Sequence, residues 1–166
     1  MIIKDSMVLI HLAKLTALEK SCAYFKSIII PKAVFNEVSK GIESGFEDAA
    51  LITSLIEGKK ITVLEVKDTS LIKKANSFNV QRGEAEALAL YWEKNADLLA
   101  TDDDNVRKKM DLLDIKIIGT PAIILKLYKE KRIDKSKVKQ CISKLKEIGW
   151  FHAAVLDKML MEVGNG

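Results

Sequence analysis

Five short apolar runs, at residues 2–4, 27–30, 61–66, 97–101 and 115–118, constrain the fold of this chain more than any other feature. They are rich in Ile, Val and Leu and do not alternate with polar residues. A strand with one solvated face alternates, whereas a strand buried on both faces reads as a continuous hydrophobic run. Each run is therefore expected to be a strand buried on both faces. The segments between them carry helical periodicity instead. Residues 7–15 place Val8, Leu12 and Leu15 on one face. Pro31 stands where a first helical residue is favoured, so a helix is expected over 31–40 with Gly41 as its stop. Further helices are expected over 46–57, ending at Gly58, and over 83–94. Three more follow the last strand, over 121–131, 135–148 and 153–163.

Alternation of strands and helices gives a parallel sheet covered on both faces. The fold class expected is α/β, a three-layer α/β/α sandwich around a five-stranded parallel sheet. The 166 residues suffice for one domain, 1–166, in which 119–166 form a helical C-terminal extension. Two prolines and eight glycines leave no linker and no low-complexity tract. In open sheets of this kind, sites form at the carboxyl ends of the strands, where strand order reverses.

Composition narrows the chemistry. Aromatic residues make up only 6%, too few for a stacking platform along single-stranded nucleic acid. The net charge of +4 permits polyanionic partners without demanding them. Cys22 and Cys141 match no metal-ligand spacing and are expected as reduced core thiols. No run reaches the ~18 apolar residues of a membrane span, and the first residues lack the apolar core of a signal peptide. A cytoplasmic protein is expected. His11 and His152 are read as structural or surface residues. No G-x-S-x-G, Walker A or G-x-G-x-x-G motif occurs.

The acids remain. Asp5 ends the first strand, and Asp102, Asp103 and Asp104 follow directly on the fourth. Glu37 falls on the stripe of its helix expected to face the protein, and Glu84 lies in the first turn of its own helix. Taken one at a time, each has an ordinary explanation. Asp at a helix start caps free N–H groups and complements the dipole, and Asp5 would serve as a turn residue. Taken together they are costly. Two unit charges about 4 Å apart repel by roughly 4 kcal/mol at an effective dielectric near 20. A divalent cation such as Mg²⁺ or Mn²⁺, with its preference for carboxylate oxygen, removes that repulsion.

Four segments, Asp5-Ser6, PKAVFNEV with Glu37, RGEAEALAL with Glu84, and LLATDDDNVR with Asp102 and Asp103, resemble in order and spacing the PIN-domain nucleases. RGEAEALAL, the TDD segment and KIIGTPAIIL followed by a basic helical tail are similar to the prokaryotic branch grouped with VapC-type toxins. The resemblance implies strand order 3-2-1-4-5 and a metal-dependent ribonuclease. It implies catalytic roles for Asp5, Glu37, Glu84 and Asp103. Metal ligation is implied for Asp5, Glu84 and Asp103, with Asp102 as an alternative fourth ligand from the same TDD run. Asp104 is taken as peripheral. Ser6 fits the small hydroxyl residue that follows the first aspartate in many relatives, while Met7 departs from that pattern. The partners implied are an RNA substrate, a small antitoxin protein and a second copy of the chain.

Arg107, Lys108 and Lys109, with Ser6, are the expected contacts to RNA, although a solvated helix face is the commoner reading of such a run. The tail from 126 to 146 carries nine Lys or Arg against two acids, Glu130 and Asp134. Two other function classes compete. A PIN-like regulatory module that binds RNA or protein but cleaves weakly would tolerate Met7. A receiver-like phosphoacceptor or a phosphatase also gathers aspartates at strand ends. A receiver, however, needs an acceptor Asp ending its third strand and a Lys after its fifth, where this chain reads LEVKD and IIGTP.

Overall fold

A computed structural model describes residues 1–164, apart from the side chains of Met110 and Asp111. β1 (Ile2–Lys4) lies at the centre of the sheet between β2 (Ile28–Pro31) and β4 (Leu98–Ala100). β3 (Thr62–Leu64) extends it beyond β2, and β5 (Ile117–Ile118) beyond β4. All pairings are parallel, so the order is β3-β2-β1-β4-β5. Ile2 stands opposite Ile28 on one side and Leu98 on the other, and Lys4 stands opposite Ala100. Strand order reverses between β1 and β4, which fixes where a site belongs.

Alternation along each strand divides the core in two, because successive side chains leave opposite faces. Ile2, Ile28 and Ile30 point to one face and Ile3, Ile29 and Leu99 to the other. The first face is covered by α1 (Ser6–Lys14), α2 (Leu18–Phe25), α3 (Lys32–Glu43) and α4 (Glu47–Glu57). The second is covered by α5 (Thr69–Asn76) and α6 (Arg82–Glu93). Two short helices, α7 (Asp104–Lys108) and α8 (Met110–Leu113), connect β4 to β5. The C-terminal helices α9 (Thr120–Lys129), α10 (Lys135–Ile148) and α11 (Ala153–Gly164) join the first core through Ile123, Leu145 and Met159. No helix among the described residues is long and apolar enough to cross a membrane.

The structure departs from the sequence reading in several places. Pro31 is not the first helical residue. It pairs with Leu64 as the last residue of β2 and caps α3 from an extended conformation, φ −72° and ψ 161°. Gly41 does not end α3, which runs to Glu43. A Cβ on Gly41 would stand 3.0 Å from that of Ala49, so this glycine lets α3 and α4 approach closely. Four helices were not expected from periodicity: α2, α5, α7 and α8. Of these, α5 carries a readable signal, since Asp68 accepts from Ser70 N at 2.9 Å as its cap. The central strand also hides a charge. Lys4 is fully buried, donates to Ser21 Oγ at 2.6 Å, and is pushed by burial from its usual range down to about 8.

Candidate active site

The site begins with two backbone ties across the centre of the sheet. Asp5 N donates to Ala100 O at 3.1 Å, and Thr101 N donates to Ile118 O at 3.1 Å. These bonds carry the ends of β1, β4 and β5 forward together. The chain then turns into helices on both sides of the point where strand order reverses. Asp5 is the cap of α1, with Oδ1 accepting from Val8 N at 2.8 Å. Its side chain also accepts from Thr101. Burial pushes the Asp5 carboxyl up from 3.8 to about 7, against the relief of those two hydrogen bonds and with a further push from the charges of Asp102 and Glu84.

Glu84 arrives from the first turn of α6, where its Oε2 accepts from Gln81 N at 2.8 Å. Burial raises its pKa; the Gln81 hydrogen bond opposes this, while the nearby carboxylates of Asp103 and Glu37 add to it. Asp5 and Glu84 line one narrow crevice with Thr101 and Val106. Asp103 caps α7, its Oδ1 accepting from Val106 N at 2.9 Å, and its own N–H donates to Thr101 Oγ1 at 3.1 Å. Thr101 thus bridges the two aspartates that flank the reversal.

Glu37 reaches the group from α3. It is exposed, not buried as its place on the stripe suggested, because Val34 and Val38 take the inward positions and leave Glu37 at the rim. Its Oε1 is aimed at Gly83, 2.7 Å from where a Cβ would stand. The start of α3 is held there by a residue that sequence reasoning missed. Glu86 Oε2 accepts from Ala33 N at 2.9 Å, tying α3 to α6.

Asp102 turns the other way. Its Oδ1 accepts from Thr120 N at 2.7 Å, and its Oδ2 accepts from the Thr120 hydroxyl and is bonded to His11 Nδ1 at 2.8 Å. Both oxygens are therefore engaged inside the protein. His11 and Thr120 were not singled out with the acids. The available signal was His11 itself, a polar residue on the Val8–Leu12 stripe of α1, which has to find a buried partner. Trp150 Nε1 donates to the backbone oxygen of Asp102 at 3.1 Å.

The remaining expected residues scatter around this group. Ser6 is half-buried in the first turn of α1, Asp104 and Lys108 are exposed, and the Lys109 ammonium donates to Phe78 O. Arg107 lies against Gly119, where a Cβ would meet its Nη1 at 2.8 Å and Asp102 Oδ1 at 3.0 Å. His152 is exposed, with Nε2 3.9 Å from Asp104 Oδ2.

In donor chemistry the group suits a hard divalent cation. Asp5, Glu84, Asp103 and Glu37 offer only carboxylate oxygen, and the charges of Asp103 and Glu37 raise Glu84 as that of Glu84 raises Asp5. Among the described residues, however, no three His, Cys, Asp or Glu side chains are gathered closely enough to hold an ion as they stand. A cation would have to draw them together.

The family model of DUF3368, a PIN domain, matches residues 1–165. No curated protein and no solved structure matches the chain. The family match spans nearly the whole sequence and accords with a parallel sheet of order 3-2-1-4-5. The chain belongs to the PIN-domain family.

Proposed function

We propose that this PIN domain is a metal-dependent endoribonuclease that hydrolyses RNA phosphodiester bonds. PIN domains are generally nucleases and typically use divalent metals. The observation that carries the reading is the placement of Asp5, Glu84 and Asp103 where strand order reverses. Asp5 and Glu84 line one crevice with Thr101, Asp103 N–H is bonded to the same threonine, and Glu37 stands at the rim against Gly83. Asp5, Glu84 and Asp103 are the proposed ligands of Mg²⁺ or Mn²⁺. Asp102, whose two oxygens are already engaged, is better suited to holding β4 in place. A bound divalent ion lowers the pKa of its water and stabilises charge on the phosphate. The chain's own part is to fix the ligands through the Val8, Gln81 and Val106 N–H groups and to leave Glu37 free to orient a water. Arg107 and Lys108, exposed on α7, are proposed to meet the phosphate backbone.

The VapC-like reading goes one step further and makes the protein the toxin of a pair, a homodimer restrained by a small antitoxin. A small partner encoded beside this reading frame, co-purifying with it, is the test. A second reading, a PIN-like binding module with weak or no cleavage, draws on the separation of the acids as they stand. Incubation of labelled RNA with Mg²⁺ or Mn²⁺, with and without EDTA, separates the two. Metal-dependent cleavage supports the nuclease, and RNA binding without cleavage supports the module.

A further inference from the structure

Beside residues 102–104 lies a cavity of about 420 Å³, within the size range of small-ligand sites. Its walls are the start of α9 at Pro121 and Ala122, α11 at Val155 and Met159, and the connection between α10 and α11 at Trp150 and Phe151. The lining is largely apolar, and the charged groups on it come in both signs. Arg107, His152 and Lys158 offer donors, while Asp104 and Glu162 offer acceptors, Glu162 being also paired with Lys129 at 2.8 Å.

Two aromatic residues of this pocket are tied to the acidic site. Trp150 is half exposed, yet its one polar atom is fixed to the backbone oxygen of Asp102. That bond anchors an aromatic face in the pocket wall. Phe151 meets His11 edge-on, ring centroids 5.3 Å apart at 62°, and His11 in turn holds Asp102. Asp103 is the next residue, and adjacent Cα atoms are about 3.8 Å apart. The pocket wall and one of the proposed ligands are therefore separated by a single step of backbone.

We propose that this pocket receives one unpaired nucleobase of the RNA strand, next to the phosphate presented to Asp5, Glu84 and Asp103. The inference rests on the nuclease reading above. A flat, neutral ring with donors and acceptors on its edge suits an apolar pocket with Trp150 on its wall and mixed charges around it. A phosphate does not suit it, because Asp104 and Glu162 stand on the lining. Arg107 sits where it can meet the phosphate while the base enters. A base inside a duplex is stacked and paired, so the pocket selects single-stranded or looped RNA at this position.

Fluorescence anisotropy of a labelled single-stranded hexanucleotide RNA in EDTA tests the proposal. The proteins are the wild type, Trp150→Ala, and Ala122→Phe, which fills the pocket from an exposed position on α9. The same RNA is also made with an abasic nucleotide at each position in turn. Loss of a stacked base costs roughly 5- to 150-fold in affinity. Both variants should weaken the intact RNA by such a factor while melting as folded proteins. One abasic position should weaken wild type to the same level and cost the variants nothing more. Equal affinity of wild type and both folded variants for intact RNA overturns the inference and leaves the nuclease reading to its cleavage assay. No binding by wild type overturns the inference and likewise leaves the nuclease reading to its cleavage assay with metal. The abasic pattern in a protein that never cleaves supports the pocket and removes the catalytic role.

Discussion

Glu37 Oε1 lies 2.7 Å from the point where a Cβ on Gly83 would stand, so one helix keeps a bare stretch of backbone for the carboxylate of another. The contact is set by a neighbour, since Glu86 holds the start of α3 through Ala33 N. Gly83 is buried in the first turn of α6, directly before Glu84. The glycine therefore joins two of the candidate acids.

Gly83→Ala separates stability from activity. Alanine favours a helix by up to about 1 kcal/mol over glycine, and the atom it meets is the free end of an exposed side chain, which swings aside. The melting temperature should stay level or rise slightly, while kcat/KM for RNA falls at least tenfold as Glu37 leaves the group. Unchanged cleavage would remove Glu37 from the site.

His11→Ala acts through Asp102. It deletes one of three hydrogen bonds to a carboxylate that is almost wholly buried. An unsatisfied buried acceptor costs about 1–3 kcal/mol. Urea unfolding should show a loss of that size, and Thr120→Val should show a comparable one.

The protonation of Asp5 makes stability depend on pH. Its carboxyl titrates at about 7 when folded, against 3.8 for the free group. A raised pKa means that its contribution is fully present below about 3.8 and is lost as pH rises through 7. In metal-free buffer Asp5→Asn should therefore melt above wild type at pH 8, with the difference closing as pH falls toward 4. Asn is also a good N-cap, so the bond to Val8 N survives the change. A gap that widens on acidification would contradict the assignment.

Added metal should reverse that order. A ligand that binds only the native state stabilises it by about 2.7 kcal/mol at a hundred times its Kd. Millimolar Mn²⁺ or Mg²⁺ should raise the melting temperature of wild type at pH 8 and leave Asp5→Asn nearly unmoved. Equal responses would place the bound ion elsewhere.

Much of this architecture was legible in the sequence because unalternated Ile and Val runs report strands. Burial is complete in β1 and β2, while the edge strands β3 and β5 are only partly buried, against the expectation of two covered faces. Strand order came from resemblance, since nothing in Ile2–Lys4 itself says that it pairs with β2 and β4. Lys4 shows the limit of pattern: within an apolar run it reads as a strand end, yet it is fully buried against Ser21 of a helix that periodicity did not reveal. The acids were legible as residues but not as orientations. Asp102 and Asp103 are adjacent and chemically identical, and only the fold turns one toward Thr120 and His11 and the other toward Glu84. The surroundings of Asp102 come from α1, α9 and the α10–α11 connection, far apart in sequence, so no local motif announces them.

The central claim is tested most directly by single-turnover cleavage of a mixed single-stranded RNA pool by wild type, Asp5→Asn and Asp103→Asn, each with Mn²⁺ and with EDTA. Wild type should cut only with metal. Both variants should lose at least a hundredfold in rate while binding RNA as well as wild type or better, because each loses a charge that repels phosphate. Cleavage that persists in EDTA, or that survives in both variants, would contradict it.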